Sequence, residues 1–444
     1  MRFIKPRWFN KQKFQSFEVS KTAKDIYLYM KPTLVIGGGI VGLFTAYFLQ
    51  KEGIEVTVID RTDLKDNCST GNAGMIVPSH IIPLAAPGMI SKGISWMFSS
   101  KSPFYIHPRL DFKLAQWCLL FFKAATPSQV TKAIPYLKNI SLLSKSLYQE
   151  FRQDHPDSSM ALVEKGLMMA YQTESMEKEE VEFAHLARKY GLEAEILNPE
   201  DLKRIEPQLQ LKARGAVLFP GDAHLDPGAL YSFLKKYLEQ KGVTFLTETQ
   251  VLGFEKEGAK VVAVLTDKGK LKAEKILLCG GSWSGELAKM LQFSLPMMGG
   301  KGYSFIQKNN PAIQQATILT EQKVAVSPYG ETVRFGGTME IAGTNQSINK
   351  NRVKGIFESI NRYYPDFQAI FPEDPQIWKG LRPCSPDGLP YIGFAPGYSN
   401  VLVGSGHSMM GISLAPGTGK ILAELHQQKD TSMEIKGFEV GRYA

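Results

Sequence analysis

Cysteine is scarce in this sequence. The 444 residues contain four cysteines, at 68, 118, 279 and 384, which are widely separated and form no C-x-x-C pair. This spacing argues against both a zinc site and a disulfide framework, and His224 and His407, two of the seven histidines, are not spaced for a metal ion. We therefore predict no metal site, and a reducing compartment, the cytoplasm, fits the composition.

Long apolar runs are also missing. No segment approaches the ~20 apolar residues of a membrane span. The nearest candidate is residues 114–122, where apolar side chains share one helical face. They are Leu114, Trp117, Cys118, Phe121 and Phe122. Such a stripe usually packs in a core. Because lysines flank it and an apolar, proline-containing loop precedes it, peripheral contact with the inner face of the cell membrane stays an alternative.

Much of the positive charge lies at the N-terminus. The formal charge is +9, and residues 1–30 alone carry a net +5. That segment lacks the apolar core of a secretory signal. A transit peptide is an alternative, but we expect Met30 to be the functional start or residues 1–30 to be a mobile extension. The rest of the chain shows no basic patch and no recognition motif, so we predict no nucleic-acid partner.

The length and pattern predict two domains. A chain of 444 residues exceeds one nucleotide-binding unit, and 43% hydrophobic residues can form a large core. Strand and helix signals alternate without separating into two contiguous halves. Helices are predicted at 136–152, at 176–190 and after the N-cap Asp226, and strands at 243–246 and 261–266.

The most informative motif is TLVIGGGIVGLFTAYFLQKEGIEVTVID at residues 33–60. A β-rich run leads into the G-x-G-x-x-G turn of Gly37, Gly39 and Gly42, and a helix and a second strand follow. The first glycine permits a tight turn, the second lets the backbone approach a pyrophosphate, and the third lets helix pack on strand. Asp60, 23 residues beyond Gly37, can accept hydrogen bonds from a ribose. The motif predicts a bound dinucleotide.

Two later segments also run from strand through glycine to helix. The apolar strand at 275–278 leads into Gly280 and Gly281, which form either a second dinucleotide contact or an ordinary turn. Residues 400–403 predict a strand, 404–411 a glycine-rich loop, and the segment to 425 a helix. The N-terminus of that helix presents free N–H groups to a negative ligand, which for a flavin would be the N1/C2=O edge of the reduced ring.

Together these segments resemble the glycine/D-amino-acid oxidase superfamily, and within it the bacterial FAD-dependent D-amino-acid dehydrogenases. The resemblance covers nearly the whole chain after Met30. Beside residues 33–60, the motifs that carry it are STGNAGM (69–75), PLAAPG (83–88), ISWM (94–97), GDAHLDP (221–227), GGSW (280–283), KGYS (301–304), RPCSPDGLP (382–390) and GHSMMG (406–411).

The resemblance implies an α/β fold made of two discontinuous domains. One is a Rossmann-like FAD-binding domain of the GR2 type, expected from residues 31–105, 225–295 and 376–444. The other is an α+β substrate domain with a mainly antiparallel sheet, expected from residues 106–224 and 296–375. It also implies dissociable, non-covalent FAD, because Cys384 is offset from the flavin-linked cysteine of monomeric sarcosine oxidases.

The resemblance also assigns the cofactor contacts. The ADP moiety would be held by Gly37, Gly39, Gly42, Asp60 and Arg61, with the backbone of Val251 at the adenine. The isoalloxazine would be lined by Asn72, Ala73, Gly74 and Met75. Ile40, Val41 and Ser69 are also expected to bind the cofactor. Further contacts are expected from Gly280, Gly281 and Trp283, and the pyrimidine edge would be covered by Gly406, His407, Met409, Met410, Gly411 and Ile412.

Arg382 is the expected substrate residue. A guanidinium binds a carboxylate through two parallel hydrogen bonds, and the arginine of this G-x-R-P segment has that role in the superfamily. Tyr303 is a candidate for a second contact with the same carboxylate, or else a buried tyrosine that satisfies a backbone carbonyl. His224 is expected to border the substrate pocket, and His407 to shape the flavin loop through its backbone.

The predicted reaction is oxidative deamination of a D-amino acid by hydride transfer from Cα to flavin N5, with electrons passed to a quinone or another acceptor. The product is an imino acid, then a 2-oxo acid and ammonia. Alternatives are oxidation of D-proline or cis-4-hydroxy-D-proline, and a glycine- or sarcosine-type amine oxidase. A tRNA-modifying flavoprotein and a non-catalytic assembly factor are more distant alternatives.

Overall fold

The computed structural model describes residues 32–443, apart from 66, 90, 92, 94–100 and 107–110. The extension at 1–30 and the motif at 94–97 lie outside the described residues. The strands are β1 (Thr33–Ile36), β2 (Val56–Ile59), β3 (Met75–Ile76), β4 (Phe104–Ile106), β5 (Leu167–Tyr171), β6 (Glu195–Leu197), β7 (Gly215–Phe219), β8 (Ala223–His224), β9 (Thr244–Leu246), β10 (Val251–Glu257), β11 (Lys260–Thr266), β12 (Gly269–Lys272), β13 (Ile276–Leu278), β14 (Met298–Lys308), β15 (Thr317–Leu319), β16 (Val324–Tyr329), β17 (Thr332–Ile341), β18 (Trp378–Cys384), β19 (Tyr391–Phe394) and β20 (Val401–Ser405). The α-helices are α1 (Ile40–Lys51), α2 (Phe112–Ala124), α3 (Pro127–Asp154), α4 (Glu174–Lys189), α5 (Pro199–Ile205), α6 (Pro227–Gln240), α7 (Ser284–Met290), α8 (Lys350–Tyr363) and α9 (Gly411–His426).

The dinucleotide motif lies in a six-stranded sheet with the order β19-β20-β13-β1-β2-β9. The strands from β20 to β9 are parallel, and β19 pairs antiparallel with β20. Strands β1, β2 and β13 are short apolar runs in which every residue is buried. That burial is typical of a parallel sheet whose two faces are both covered.

Different layers cover the two faces of this sheet. Helices α1, α3, α6 and α9 form one core, with Phe44, Tyr148, Leu234 and Ile421 all at 3% exposure or less. The other face packs against α7 and the antiparallel sheet β10-β11-β12. The carboxyl end of β1, where the glycine turn begins, is thereby held in a rigid three-layer body.

The second large sheet has nine strands, in the order β18-β14-β17-β16-β15-β5-β7-β6 with β4 beside β17. Six of its pairings are antiparallel, and β15–β5 and β17–β4 are parallel. Helix α8 covers one face, where Phe305, Phe335 and Ile356 pack together. The predicted α/β fold with a mainly antiparallel second sheet is confirmed.

One helix differs clearly from its prediction. The helix expected at 136–152 begins at Pro127, because Thr126 accepts a hydrogen bond from the amide of Gln129 at 3.3 Å and Pro127 occupies the first turn. Pro135 lies inside the helix, where the lost backbone hydrogen bond normally breaks it. Packing of the buried face on α1 and α9 stabilises the continuous helix here.

Two elements bear on the predicted domain division, which stays a prediction. Strand β18 belongs to the segment assigned to the FAD domain, yet it pairs with β14 in the nine-stranded sheet. Helix α3 belongs to the segment assigned to the substrate domain, yet it packs on α9 and, through ring contacts of Tyr148 and Phe151 with Phe44, on α1. A strand's partner depends on contacts far along the chain, which the local pattern does not encode.

Helix α2 contains the apolar stripe found in the sequence. Leu114 and Trp117 are buried at 7% and 3% exposure, whereas Phe122 is 63% exposed. The indole of Trp117 donates a 2.9 Å hydrogen bond to the carbonyl of Cys384. The stripe is therefore partly core. Within the described ranges no helix is long and apolar enough to cross a membrane.

Candidate active site

A cavity of about 1300 Å³ joins the two large sheets and contains most of the predicted site. It runs from the carboxyl end of β1 past β18 to the face of α4. Its volume exceeds the roughly 300–1000 Å³ of most small-molecule pockets. Predicted cofactor residues that line it are Gly37, Gly39, Ile40, Val41, Asp60, Arg61, Ser69, Asn72, Ala73, Met75, Val251, Gly280, Gly281, Trp283, His407, Met409, Met410, Gly411 and Ile412.

The three glycines of the dinucleotide turn have different surroundings. Gly37 has φ +113, and a Cβ there would overlap the backbone of Cys279. A Cβ on Gly42 would overlap the carbonyl oxygen of Gly37. A Cβ on Gly39 would have only Ser69 Oγ within reach, at 3.8 Å. The open side of Gly39 faces the cavity, as close approach by a pyrophosphate requires.

Asp60 is fixed beside this turn. One carboxylate oxygen accepts a hydrogen bond from the amide of Gly38 at 2.8 Å, and the other accepts from the amide and hydroxyl of Thr62 at 2.9 and 2.8 Å. The first amide of α1, on Ile40, donates to Ser69 Oγ at 3.0 Å. The carboxylate therefore reaches the cavity in a single orientation, where a ribose hydroxyl can bind to it.

An aromatic and a cationic side chain lie at the far end of the cavity. The guanidinium of Arg61 stacks over the ring of Trp283, 4.0 Å from its centroid. Val251, the first residue of β10, lines the same region. The planar Arg61–Trp283 pair, beside the backbone of the apolar residue Val251, suits a stacked aromatic base such as adenine.

The loop at residues 69–75, which we call the ring loop, is tied to the nine-stranded sheet. The carbonyl of Ala73 accepts hydrogen bonds from the hydroxyls of Ser327 at 2.7 Å and Tyr329 at 2.6 Å. Arg334 donates to the carbonyls of Thr70 and Asn72. Sequence reasoning missed these anchors, since they lie more than 250 residues away. These hydrogen bonds fix the backbone of the ring loop to the nine-stranded sheet.

Two predicted glycines shape loops without lining the cavity. Gly74 has φ +71, and a Cβ there would overlap the carbonyl of Leu225. Gly406 has φ +81, and its Cβ would press on the ring of Tyr391. Both positions need glycine for backbone conformation and close packing. Their effect on a cofactor would therefore be indirect.

The loop before α9 is held by His407. Its Nε2 lies 2.9 Å from the hydroxyl of Thr418, and burial lowers the pKa of His407 to about 3. The imidazole is therefore neutral and structural. Ser408 has φ +49, and Met409 is 43% exposed. The first amides of α9 begin at Gly411, on the wall of the cavity.

Arg382 lies on the strand face that looks into the cavity. Strand β18 pairs with β14 so that Arg382 is opposite Gly300. A Cβ on Gly302 would overlap the guanidinium, so this glycine makes room for it. The guanidinium donates to the carbonyl of Thr338. Among the described residues it has no carboxylate partner, and desolvation lowers the pKa of Arg382.

Tyr303 lies on the opposite strand face. Successive side chains of a strand point to opposite sides, so Tyr303 packs with Ile356 of α8 while Arg382 lies on the other face. Tyr303 nevertheless lines part of the cavity. Its hydroxyl donates to Glu340 at 2.9 Å and accepts from the amide of Asn349 at 3.1 Å. These hydrogen bonds occupy the hydroxyl, and the expected contact of Tyr303 with a substrate carboxylate stays a prediction.

His224, which was expected to border the substrate pocket, is buried away from the cavity lining. It is 1% exposed, its Nε2 lies 3.0 Å from the carbonyl of Pro328, and it is not among the residues that line the cavity. Burial lowers the pKa of His224. Strand β8, which contains it, pairs with β3 at the end of the ring loop. His224 supports that loop from behind.

Several cavity residues were not found from the sequence. Trp378 packs its ring where Gly71 and Gly380 have no side chains, on the same strand face as Arg382. Cys68 accepts a hydrogen bond from the amide of Leu381 at 3.3 Å. His80 and Lys323 line the cavity on the α4 side. A single tryptophan, cysteine or histidine outside a motif gives no signal by itself.

The chain is similar to known proteins over almost its whole length. The family described as DAO, FAD dependent oxidoreductase, matches residues 33–425. A D-amino acid dehydrogenase of Helicobacter pylori is 31% identical over 399 residues, covering 89% of this chain and 95% of the relative. One of Granulibacter bethesdensis is 29% identical over 418 residues, with coverage of 93% and 99%.

A solved structure shares the fold. The glycine oxidase from Geobacillus kaustophilus superposes with a TM-score of 0.75 at 21% identity, over 93% of this chain and 99% of its own. The cavity, the open face of Gly39 and the helix N-termini around it fit an extended dinucleotide. This protein belongs to the DAO family of FAD-dependent oxidoreductases.

Proposed function

We propose that the protein oxidises D-amino acids to imino acids, which hydrolyse to 2-oxo acids and ammonia. Family membership makes it an FAD-dependent oxidoreductase of amino-acid amines. The names of its curated relatives, D-amino acid dehydrogenase, support the D-configuration.

The observation that carries the proposal is the environment of Arg382. An isolated charge away from water is costly unless an opposite charge accompanies it. The described residues supply only the Thr338 carbonyl to this guanidinium, and its other N–H groups lie at the cavity wall. These N–H groups of the half-buried Arg382 are therefore available to an anionic ligand, and a substrate carboxylate fits the planar fork.

The residues that would hold FAD are those of the dinucleotide turn, Asp60, the Arg61–Trp283 pair, the ring loop and the first amides of α9. Non-covalent binding is part of the proposal. When bound, FAD accepts the hydride that leaves the substrate α-carbon. The chain itself contributes position, because the chemistry needs no protein nucleophile.

The chain selects the enantiomer by fixing two substituents. Arg382 holds the carboxylate, and the apolar wall around Met75 and Met410 accepts the side chain. Only one enantiomer then directs its Cα–H towards the ring loop. A linear product leaves as an imino acid and hydrolyses, whereas a cyclic one leaves as a pyrroline.

Initial rates with an artificial electron acceptor test the substrate class. We expect D-alanine or other D-amino acids to react well, and L-alanine not to react. Preference for D-proline or cis-4-hydroxy-D-proline would move the assignment to cyclic amines, and preference for glycine or sarcosine to a glycine-oxidase-type enzyme. Binding of tRNA at moderate salt would favour a tRNA-modifying flavoprotein.

A membrane quinone is the proposed electron acceptor, and the outer face of α2 supports contact with the membrane. Phe112, Leu119 and Phe122 are 84%, 55% and 63% exposed, with Lys113 and Lys123 beside them. Apolar side chains flanked by lysines are typical of helices that lie on anionic bilayers.

Co-sedimentation with vesicles tests this contact. The double variant Phe112→Ser/Phe122→Ser should bind phosphatidylglycerol vesicles at least several-fold more weakly than the wild type. Ile370→Ser is the matched control, since that side chain is 76% exposed at another place on the surface. Equal binding by both variants would contradict the assignment of this face.

A further inference from the structure

A buried hydrogen-bonded chain of three side chains reaches the cavity beside the ring loop. Ser79 Oγ donates to Asp222 Oδ2 at 2.5 Å, and the Ser79 amide donates to Asp222 Oδ1 at 3.0 Å. Ser79 Oγ also lies 3.2 Å from Nδ1 of His80. His80 lines the cavity. We call these three residues the relay.

Asp222 is an unusual carboxylate. It is 1% exposed, and its only hydrogen-bond donors among the described residues belong to Ser79. A buried carboxylate without a bonded cation holds a proton more readily than one in water. Burial raises the pKa of Asp222 to about 7. It can therefore gain or lose a proton near neutral pH.

The charged neighbours of the relay are few. Lys145 faces Asp222 without bonding to it, because its ammonium donates to the carbonyl of Gly221 at 2.7 Å and lies 3.8 Å from Glu164. Lys323 faces His80 and pairs with Glu180 at 3.6 Å. Burial, assisted by Lys323, lowers the pKa of His80 to about 4, so its imidazole is neutral.

The proton positions follow from the hydrogen bonds. When Asp222 is ionised, the Ser79 hydroxyl donates to it and accepts from Nδ1–H of His80. Neutral imidazole then has a bare Nε2. When Asp222 is protonated, the chain reverses and Nε2 carries the proton. Among the described residues Nε2 has no partner, and it is not one of the fully buried unbonded atoms.

The relay opens into the cavity that Arg382 also lines. His80 follows Met75 by five residues, and the amide of Val77 between them donates to Ser413 Oγ of α9 at 3.0 Å. The segment therefore runs from the ring loop to the first turn of α9. The surrounding wall is apolar, with Val77, Met169 and Met410 in one cluster. A polar atom in such a wall orients a ligand.

We propose that His80 accepts the proton of the substrate ammonium, and that Ser79 passes a proton on to Asp222. An N–H bond of the ammonium breaks as the Nε2–H bond forms. Nδ1–H is transferred to Ser79 Oγ, whose own proton moves to Asp222 Oδ2. The products are a neutral amine and a neutral carboxylic acid, so charge is conserved. His80 is a catalytic residue in this step, and Ser79 and Asp222 are positioning residues.

The inference rests on the proposed function, since only an amine substrate supplies this proton. Oxidation by hydride transfer requires the unprotonated amine, whereas an amino acid binds mainly as the ammonium at neutral pH. A placed general base contributes about 10²- to 10⁴-fold. When the pH exceeds the pKa of the substrate ammonium, the amine is already unprotonated and the contribution of the general base disappears.

The test compares pH profiles of kcat/KM for the wild type and Asp222→Asn. The new side-chain amide at position 222 still accepts a hydrogen bond from the backbone N–H of Ser79, and it donates one to the Ser79 hydroxyl. It therefore imitates protonated Asp222 at every pH. We expect about a 100-fold loss at pH 7.5 and recovery to within about five-fold above the ammonium pKa. An equal loss at all pH values would overturn the relay. Asp226→Asn is the matched control, because Asp226 caps α6 outside the relay.

Nitrogen-15 NMR of labelled histidine gives a readout without turnover. In the wild type, the His80 proton should move from Nε2 to Nδ1 as pH rises through about 7. In Asp222→Asn it should stay on Nε2. If that variant fails to fold, Ser79→Ala should show the same high-pH rescue and no tautomer change. If the His80 proton of the wild type does not move between Nε2 and Nδ1 as pH changes, the relay is wrong even if D-amino acids react. If no D-amino acid is oxidised, only the proposed function is overturned.

Discussion

Replacing Arg382 with alanine is the main test of the proposed substrate site. The guanidinium lies over Gly302 and has only the Thr338 carbonyl as a partner among the described residues. Its remaining donors are available to a ligand carboxylate. Removing one partner of a desolvated ion pair costs about 3–5 kcal/mol, which corresponds to roughly two to almost four orders of magnitude in kcat/KM. The loss should appear for every substrate that has a carboxylate.

The assay is steady-state kinetics on the best D-amino acid, with the flavin absorption spectrum as a check on cofactor binding. Arg382→Lys should recover only part of the loss, because an ammonium lacks the planar fork. The alanine variant should unfold no earlier than the wild type, since it removes a desolvated charge rather than a stabilising pair. Activity within a few-fold of wild type would show that the carboxylate is held elsewhere, and would refute the reasoning.

Four further predictions follow from the same geometry. Gly302→Ala should lower kcat/KM about 100-fold by displacing the Arg382 guanidinium, and flavin content should not change. Gly39→Val should abolish flavin retention, and an active FAD-replete protein would contradict the assignment of that turn. Tyr303→Phe should change kcat/KM less than three-fold but lower the free energy of unfolding by about 1–3 kcal/mol, as followed by urea denaturation, because Glu340 and an amide lose a partner. Acid precipitation of the yellow protein should release flavin to the supernatant, whereas colour in the pellet would show a covalent link.

Local spacing was enough to predict the dinucleotide turn. The roles of Gly37 and Gly42 follow from three residues of one turn and the strand and helix beside it, and the structure shows both glycines in tight contact with backbone atoms. The N-cap at Asp226 was equally local and is confirmed. Such signals can be recognised in the sequence because the interacting groups are near neighbours in the chain.

The strand face that Tyr303 occupies depends on information that the local sequence does not contain. Which face a strand residue occupies relative to a cavity is set by pairing, here of β14 with β18, about 80 residues later. A change of one residue in register reverses the face. The motif KGYS indicated a site near Tyr303, but it did not indicate that the hydroxyl of Tyr303 would bond to Glu340 and to the amide of Asn349.

The relay could not be predicted from the sequence for a related reason. Ser79 and Asp222 are 143 residues apart, and neither belongs to a motif of acid–base chemistry. The segments that contain them meet because β3 pairs with β8, through only two residue pairs. Function built from single residues on distant loops needs the tertiary structure, whereas cofactor binding built on one turn does not.

Anaerobic mixing of the purified holoenzyme with each enantiomer of alanine tests the central claim most directly. The flavin absorbance near its visible maximum should bleach rapidly with the D-enantiomer and remain unchanged with the L-enantiomer, and Arg382→Ala should bleach at least 100-fold more slowly at low D-alanine. If alanine is a poor substrate, the best D-amino acid of the substrate panel and its L-enantiomer are used instead. Equal bleaching by both enantiomers, or rapid bleaching of the alanine variant, would contradict a D-amino-acid site built on Arg382.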